Sequence, residues 1–306
     1  MALHLKQLED LLQSDSLDLS FYPGENLRLH TTYRIGGPAK YYVQVNDNEA
    51  LKQVVTQCAE QGLPWFIIGR GSNMLVADSG FPGCVINLGR DFRLLAFDEK
   101  NLEYKIGAGA NLAKLVQEAF RKKLAGMEFA VGTPGTIGGA LRMNAGTRDC
   151  GISSVVKDLL LFSPEKGVYA KTHDQIDWGY RTTSISKDEI ILNTTVALRE
   201  SDDIYIREKM DASLTRRKKT QPLEYPSCGS VFKNPEGHSA GKLIEDAGLK
   251  GHKIGGAQIS EKHANFFVNV GGAKALDVYQ LINFAKNKVY EDSGVKLETE
   301  VKLIGF

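Results

Sequence analysis

The sequence lacks the features that mark several large classes of protein. Its 306 residues include no apolar run of about 18 residues, the length that a membrane-spanning helix needs. Lys and Arg number 38 against 37 Asp and Glu, and this net charge of +1 excludes a basic surface spread over the whole protein. The first ten residues show no signal-peptide pattern. We therefore expect a cytoplasmic protein with no membrane insertion and no nucleic-acid partner.

Cysteine is scarce and scattered. No C-x-x-C pair occurs, and no cysteine has a histidine at zinc-finger spacing; the four positions are Cys58, Cys84, Cys150 and Cys228. We expect reduced thiols and no metal site. Cys228 alone stays open to another role, because it borders a loop rich in polar residues.

Hydrophobic spacing predicts an α+β protein with clustered strands, without the strict alternation of a doubly wound sheet. Helices are predicted at 3–13, 49–61, 112–123, 204–218, 240–248 and 277–292. Strands are predicted at 39–45, 65–68, 74–77, 85–88, 94–97, 102–106, 155–162, 168–172, 190–198, 266–270 and 295–304. Prolines that follow the charged helix mark a boundary, which predicts a lead-in at 1–25, a region at 26–220 and a domain at 221–306.

A first glycine-rich stretch follows a hydrophobic strand; it consists of Gly69, Arg70, Gly71, Ser72 and Asn73. Glycine allows left-handed backbone and close approach to a ligand, so successive N–H groups can converge on a phosphate. Gly-rich turns between strands are also common, and this stretch alone leaves both interpretations open.

A second stretch has a higher glycine density; its residues of interest are Thr133, Pro134, Gly135, Thr136, Gly138, Gly139, Asn144, Ala145 and Gly146. Each glycine costs about 0.5–1 kcal/mol inside a helix or strand, so the stretch must either enclose a ligand or solve a packing problem. Together the two stretches would suit the two sides of one diphosphate. Neither matches G-x-G-x-x-G or the P-loop, which excludes a Rossmann or NTPase site.

A third polar loop runs from Tyr225 to Pro235 and places Ser230 beside Gly229. Lys233 and Asn234 follow closely, so a hydroxyl, a cation and an amide share one short segment. The serine-hydrolase pattern G-x-S-x-G is absent, and a nucleophile elbow is not supported. Without further information, such a serine more often belongs to an ordinary surface loop.

In this order, these segments resemble the UDP-N-acetylenolpyruvoylglucosamine reductase (MurB) family. The resemblance runs from about Asn26 to Phe306 and includes Thr32-Tyr33-Arg34-Ile35-Gly36-Gly37-Pro38-Ala39, Gly179-Tyr180-Arg181 and Leu297-Glu298-Thr299-Glu300-Val301-Lys302. It implies an FAD-binding region of the PCMH/vanillyl-alcohol-oxidase type in two α+β lobes, followed by a smaller α+β substrate-binding domain. The short link from Pro235 to Ala240 carries no tyrosine, so the chain resembles the branch that lacks a Tyr-bearing lid loop.

The resemblance implies a flavoenzyme of peptidoglycan synthesis with non-covalent FAD and with NADPH as reductant. The reduced flavin N5 would deliver a hydride to the enolpyruvyl group of UDP-N-acetylglucosamine enolpyruvate, giving UDP-N-acetylmuramate. Arg181, Ser230 and Glu300 match the catalytic residues, with Ser230 as the proton donor. The charge that forms next to the substrate carboxylate explains the need for a guanidinium and an acid.

Further residues are carried over by the same resemblance. Arg34 and the two glycine stretches match FAD-binding positions, and the substrate-binding positions are Tyr180, Arg217, Lys233, Asn234 and His263. A monomer or weak oligomer is expected. Two alternatives stay open: a flavin oxidase of the same superfamily acting on another substrate, and a nucleotide-sugar sensor that retains the fold.

Overall fold

The chain forms two compact units, each assembled from separate stretches of sequence. The structure is a computed structural model and describes residues 2–14, 16–147 and 150–306. The first unit comprises Met1–Pro23, Tyr41–Gly69 and Gly83–Thr215, and the second comprises Gly24–Lys40, Arg70–Pro82 and Arg216–Phe306. This grouping differs from the sequence-based boundaries, which kept 26–220 as one region.

The helices and strands are distributed over both units. The α-helices are α1 (Ala2–Gln13), α2 (Asn48–Glu60), α3 (Leu112–Arg121), α4 (Ile137–Arg142), α5 (Asp203–Thr220), α6 (Ala240–Asp246) and α7 (Ala275–Ser293). The strands are β1 (Leu19–Pro23), β2 (Ala39–Val45), β3 (Trp65–Ile68), β4 (Met74–Val76), β5 (Phe81–Leu88), β6 (Leu95–Asp98), β7 (Glu103–Gly107), β8 (Leu124–Ala125), β9 (Val156–Ser163), β10 (Gly167–Thr172), β11 (Trp178–Gly179), β12 (Thr182–Thr183), β13 (Ile190–Ala197), β14 (Arg199–Glu200), β15 (Lys253–Ile254), β16 (Ala257–Ile259), β17 (Phe267–Asn269) and β18 (Lys302–Ile304). Within the described ranges, no helix is both long enough and apolar enough to span a membrane.

The first unit is built around two large sheets and a shared core. A four-stranded sheet has the order β1-β2-β5-β3, and a five-stranded sheet has the order β10-β9-β13-β7-β6. Helix α3 buries Leu112, Leu115, Val116 and Ala119, the spacing that places apolar side chains on one helical face. These side chains join residues of both sheets and of α2 in a single hydrophobic cluster.

The second unit has its own core around α7. Its antiparallel sheet has the order β15-β16-β17, and β18 pairs with β4 in parallel. The buried positions of α7 include Val278, Leu281, Ile282 and Ala285. The same cluster contains Tyr33, from far earlier in the chain.

Hydrogen bonds between residues distant in sequence explain why 24–40 and 70–82 belong to the second unit. The Tyr33 hydroxyl donates to the Phe267 carbonyl at 2.8 Å. The Asp78 carboxylate accepts from the backbone N–H of Ala275 at 2.8 Å and of Leu276 at 3.0 Å, at the start of α7. The first N–H groups of a helix have no partner within the helix, and here the carboxylate accepts from two of them. Its negative charge also interacts favourably with the positive end of the helix dipole. Such contacts leave no local sequence pattern.

The strands β1, β8, β11, β12, β14, β15 and β16 were not predicted, and two further stretches differ from the prediction made for them. The predicted strand at 295–304 forms ladder pairs only over Lys302–Ile304, and before that an isolated bridge joins Thr299 to Phe232. The second glycine stretch contains α4, where a loop was expected. Its start is fixed by Thr136, whose Oγ1 accepts from the Gly139 N–H at 3.3 Å.

Candidate active site

Ser230 lies on a backbone segment that pairs with the stretch carrying His263. Ser230 forms an isolated antiparallel bridge with Phe266, and the Val231 N–H donates to the Asn265 carbonyl at 2.9 Å. The side chains of Ser230 and His263 are both half-buried. Both predicted residues are therefore held in neighbouring parts of the second unit.

Glu300 lies on the other side of the same segment. The Glu300 N–H donates to the Val231 carbonyl at 2.8 Å, and Phe232 bridges Thr299. The structure thus brings the backbones of Ser230 and Glu300, two predicted catalytic residues, next to each other. Arg181, the third, belongs to the first unit.

Lys233 continues the Ser230 segment and is oriented by an ion pair. Its Nζ lies 2.6 Å from Glu298 Oε1, and the hydrogen bond from Lys233 lowers the pKa of Glu298. The side chain of Glu298 is 72% exposed, so the pair contributes about 0–1 kcal/mol to stability. Its main effect is to orient a positive charge on a residue three positions after Ser230.

Arg181 occupies the turn of the β11–β12 hairpin. Gly179 pairs with Thr182, which leaves Tyr180 and Arg181 as the turn residues. The φ angle of Arg181 is 57°, in the left-handed region, which costs a non-glycine residue about 1–2 kcal/mol. The guanidinium carbon lies 5.4 Å from the centre of the Tyr180 ring. The turn therefore has an arginine at a position where glycine or asparagine would be less strained.

The second glycine stretch contacts this hairpin. Asn144 Nδ2 donates to the Gly179 carbonyl at 3.1 Å, and Asn144 Oδ1 accepts from the Ser153 N–H at 3.3 Å. The φ angle of Asn144 is 40°, also left-handed. The predicted FAD-binding stretch and the predicted catalytic arginine are therefore linked within the first unit by one side chain.

Arg142, which sequence reasoning missed, supports the chain after the hairpin. Its guanidinium donates to the Ile185 carbonyl at 2.9 Å and the Ser186 carbonyl at 2.6 Å, and also to the Glu189 carbonyl. Burial lowers the pKa of Arg142. Five donors in a planar fork suit several carbonyls at once, and this fixes α4 against the 185–189 turn.

The two glycine stretches meet at Gly69 and Thr136. A Cβ atom on Gly69 would lie 2.5 Å from Thr136 Oγ1, so only glycine fits there without a shift. A Cβ on Gly138 would lie 3.0 Å from the Ala108 Cβ, whereas one on Gly139 would meet nothing closer than 3.5 Å. Gly138 therefore allows close packing against Ala108, whereas space remains next to the backbone of Gly139.

A cavity borders the second glycine stretch. It is small and partly open to solvent; its lining includes Thr133, Ala140, Ala145, Gly146 and Phe129. The lining combines small residues with apolar side chains, a composition that suits contact with a flat aromatic group. The residues of this stretch fit a bound flavin.

The rest of the first glycine stretch lies in the second unit. A Cβ on Gly71 would lie 2.3 Å from the His30 carbonyl oxygen, and the φ angle of Gly71 is 55°. Asn73 Nδ2 donates to the Glu300 carbonyl at 3.2 Å, and the Asn73 carbonyl accepts from the Lys302 N–H at 3.0 Å. Asn73 thus fixes the backbone of Glu300, a role that its sequence position did not reveal. The φ angle of Arg34 is 55°, a third left-handed candidate residue.

The predicted substrate-binding residues of the second unit have defined partners. His263 Nδ1 accepts from the Asn265 N–H at 3.2 Å, and burial lowers the pKa of His263, so a neutral ring presents its proton on Nε2. Lys262 Nζ donates to the Lys218 carbonyl at 2.7 Å and fixes this loop to the end of α5. Burial lowers the pKa of the neighbouring Arg217.

Asn234 has a structural contact as well. Its Oδ1 accepts from the Ala240 N–H at 3.0 Å, at the start of α6. The side chain therefore has a fixed orientation directly after Lys233.

Cys228 is an inert thiol. Its side chain is buried, and burial raises the pKa of Cys228 to about 12. A protonated thiol is a weak nucleophile and a poor metal ligand, so the role left open by the sequence is not supported. In the part of the chain that the structure describes, no three His, Cys, Asp or Glu residues gather in a way that could hold a metal ion.

Comparison with known proteins identifies one family along the chain. Residues 221–304 match the C-terminal domain of UDP-N-acetylenolpyruvoylglucosamine reductase, and residues 39–167 match an FAD binding domain. The UDP-N-acetylenolpyruvoylglucosamine reductase of Clostridium botulinum is 40% identical over 302 residues, which cover 98% of this chain and 96% of that protein. The crystal structure of UDP-N-acetylenolpyruvylglucosamine reductase (MurB) from Thermus caldophilus has a TM-score of 0.80 and 35% sequence identity, and the match covers 94% of this chain and 99% of that one.

A more distant structural neighbour supports the fold. Phl p 4.0202, a glucose dehydrogenase, has a TM-score of 0.50 at 15% identity over 65% of this chain and 44% of its own. A likeness at this identity shows the fold alone. The predicted α+β fold of the PCMH/vanillyl-alcohol-oxidase type is confirmed, as is the resemblance drawn from the sequence. The chain carries an FAD-binding domain and belongs to the UDP-N-acetylenolpyruvoylglucosamine reductase family of oxidoreductases.

Proposed function

We propose that the protein reduces the enolpyruvyl group of UDP-N-acetylglucosamine enolpyruvate to UDP-N-acetylmuramate, with NADPH as reductant, in peptidoglycan biosynthesis. The observation that supports this most directly is the hydrogen bond from the Glu300 N–H to the Val231 carbonyl at 2.8 Å. It places the backbone of Glu300 beside that of Ser230 within the region that matches the family's C-terminal domain.

The chemistry determines what the protein must provide. FAD, when bound, supplies the hydride that adds to the methylene carbon of the substrate. Negative charge then develops on the neighbouring carbon and spreads into the carboxylate, so the site needs a fixed positive group and a proton source. In this proposal the planar guanidinium of Arg181 binds the carboxylate through two parallel hydrogen bonds.

Ser230 is proposed to donate the proton, and Glu300 is proposed to orient the enolate. The Ser230 hydroxyl gives its proton to the carbon, which is basic enough to accept it from an alcohol. The Lys233 ammonium, held by Glu298 at 2.6 Å, stabilises the alkoxide that Ser230 becomes. Glu300 orients the developing enolate, and its backbone is fixed by Asn73 as well as by Val231.

Substrate recognition is assigned to polar groups around these residues. His263 presents a neutral ring whose Nε2–H can donate to an oxygen, and Asn234 lies directly after Lys233. Arg217 at the end of α5 is proposed to face the diphosphate, and the half-exposed Tyr180 beside Arg181 is proposed to contact the sugar nucleotide.

Backbone strain supports the proposed FAD and catalytic positions. Among the described residues, positive φ angles occur at five non-glycine positions, and three of these are Arg34, Asn144 and Arg181. Strained backbone persists where the surrounding structure holds it, often at functional sites. We propose that Arg34, Gly69 to Asn73 and the stretch from Thr133 to Gly146 bind FAD.

The remaining features of the proposal concern the whole protein. The region 26–220 is proposed to bind FAD and the domain 221–306 to bind the sugar nucleotide. The protein is proposed to act in the cytoplasm as a monomer or weak oligomer.

Flavin spectroscopy tests the proposed reaction. The purified protein should be yellow, and anaerobic NADPH should bleach the flavin absorbance. UDP-N-acetylglucosamine enolpyruvate should restore the absorbance, whereas UDP-N-acetylglucosamine should not. Rapid restoration by oxygen with no response to the enolpyruvyl sugar would favour the oxidase alternative. Binding of the sugar nucleotide without bleaching by NADPH would favour a sensor.

A further inference from the structure

Asn265 is a buried amide that uses both ends of its side chain on one neighbouring residue. It is 3% exposed. Its Oδ1 accepts from the Phe232 N–H at 2.9 Å, and its Nδ2 donates to the Phe232 carbonyl at 2.8 Å. The side chain therefore takes the place of a peptide group in strand pairing.

This contact lies where regular pairing stops. Ser230 and Phe266 form an isolated bridge, which in the described part of the chain does not extend into a ladder. Past Val231 the segment pairs on its other side, where Phe232 bridges Thr299. If the Asn265 side chain were removed, the buried N–H and the buried carbonyl of Phe232 would each lose one hydrogen bond. Buried polar groups that lose a partner favour a shift of the backbone or the entry of water.

Asn265 also connects the proposed functional side chains. Its own N–H donates to His263 Nδ1 at 3.2 Å, and its carbonyl accepts from the Val231 N–H at 2.9 Å. The residue it holds, Phe232, lies two positions after Ser230 and one before Lys233. Through its side chain and its backbone, Asn265 thus holds both Phe232 and Val231.

We propose that Asn265 is a positioning residue for the proton-transfer step, holding the Ser230–Lys233 backbone so that the hydroxyl and ammonium stay aligned. This rests on the proposed function of Ser230. Asn265 acts through Phe232 and is not proposed to touch the substrate. A misplacement of about 1 Å at a reacting group can reduce a rate about a hundredfold, so a small loss of alignment is enough to measure.

Two variants and a matched control test this role. Asn265→Ala removes both hydrogen bonds, and Asn265→Asp keeps the acceptor for the Phe232 N–H but loses the donor. The control is Asn46→Ala in the first unit, where Asn46 Nδ2 donates to Asp18 Oδ1 at 2.8 Å and its Oδ1 accepts from the Arg90 N–H at 3.2 Å. All are prepared as FAD-loaded protein and compared with the wild type.

The two half-reactions are expected to respond differently to the Asn265 substitutions. Flavin re-oxidation by saturating UDP-N-acetylglucosamine enolpyruvate should slow by about tenfold or more in both Asn265 variants, while bleaching by NADPH changes less than about twofold. Amide hydrogen exchange at Phe232 should accelerate in Asn265→Ala, which removes the acceptor for this N–H, and stay unchanged in Asn46→Ala. The exchange readout does not depend on activity and reports the backbone directly.

Three outcomes would overturn the proposal. The first is a re-oxidation rate in Asn265→Asp and Asn265→Ala equal to that of the control. The second is an equal loss in both half-reactions, which would indicate general damage to the fold. The third is a wild-type protein that the enolpyruvyl sugar does not re-oxidise, and this result alone would also reject the proposed function. If Asn265→Ala does not fold, Asn265→Asp decides the question.

Discussion

At Arg181, which has left-handed backbone, the effect of backbone strain on stability and the effect of the guanidinium on activity can be measured separately. Its φ angle of 57° disfavours any side chain with a Cβ atom. Arg181→Ala keeps this strain and removes the guanidinium, whereas Arg181→Gly removes both. Arg181→Lys keeps the strain and the charge but loses the planar fork.

The expected magnitudes follow from these differences. Left-handed backbone costs a non-glycine residue about 1–2 kcal/mol, and glycine gives back about 0.5–1 kcal/mol through the extra freedom of its unfolded chain. Arg181→Gly should therefore be more stable than Arg181→Ala by about 0.5–1 kcal/mol, measured by urea unfolding. Both should lose about 10²–10³-fold in product formation, as expected for a lost donor at a developing charge. Arg181→Lys should also be severely impaired.

Lys123 provides the matched control. It is exposed, its φ angle is 55°, and it has no proposed role in the reaction. Lys123→Gly should exceed Lys123→Ala in stability by a similar amount with activity unchanged. If the glycine variant at position 181 is no more stable than the alanine variant while Lys123 behaves as expected, the strain assignment is wrong. A near-normal rate in Arg181→Ala or Arg181→Lys would remove Arg181 from the mechanism.

Three further predictions follow. Ser230→Ala should greatly reduce product formation with flavin bleaching by NADPH nearly intact; equal loss in both half-reactions of a stopped-flow experiment would contradict its role. Burial alone would raise the pKa of Glu189, but hydrogen bonds from Tyr169 and Lys171 lower it from 4.5 to about 2. The ionised Glu189 carboxylate stabilises the folded protein above the pKa that it has in the unfolded chain. This contribution to the free energy of unfolding, at most about 3 kcal/mol, is lost as the pH falls towards 2. Glu189→Gln should therefore flatten the acid side of the unfolding free energy, and an unchanged profile would contradict this. Asp78→Ala should destabilise the second unit by about 1–2 kcal/mol in urea unfolding, because α7 loses two N–H partners; a stability equal to the wild type would refute that contribution.

The regular elements follow closely from local sequence. The strands Ala39–Val45 and Trp65–Ile68 have the predicted bounds, and α3 begins at the predicted Leu112. Their apolar residues repeat with the period of a strand or a helix, and this signal depends only on near neighbours. Elements of this kind can be predicted because burial on one face determines them.

Other parts of the fold depend on contacts that the sequence does not show. Gly138 and Gly139 made α4 look like a loop, although Thr136 supplies its cap. The 295–301 stretch has strand-like alternation but meets the Ser230 segment through isolated contacts. The bonds from Asp78 to α7 join residues 197 and 198 positions apart, so the composition of the second unit has no local signal.

The candidate site shows the same division. Its catalytic and ligand-binding residues were assigned through a family resemblance, because residue types alone left Ser230 and Glu300 indistinguishable from ordinary polar residues. Asn265 was missed, although an amide between Ala264 and Phe266 in an apolar run indicates a buried polar contact. The function of Asn73 as a partner of the Glu300 backbone became evident only from the structure.

A crystal structure of the oxidised protein with UDP-N-acetylglucosamine enolpyruvate bound tests the central claim most directly. The proposal predicts that the Arg181 guanidinium and the Glu300 carboxyl group lie within about 3.5 Å of the enolpyruvyl moiety, with the Ser230 hydroxyl at similar distance from the carbon that receives the proton. A complex in which the sugar nucleotide binds fully while any one of these three side chains lies far from the enolpyruvyl group would contradict it.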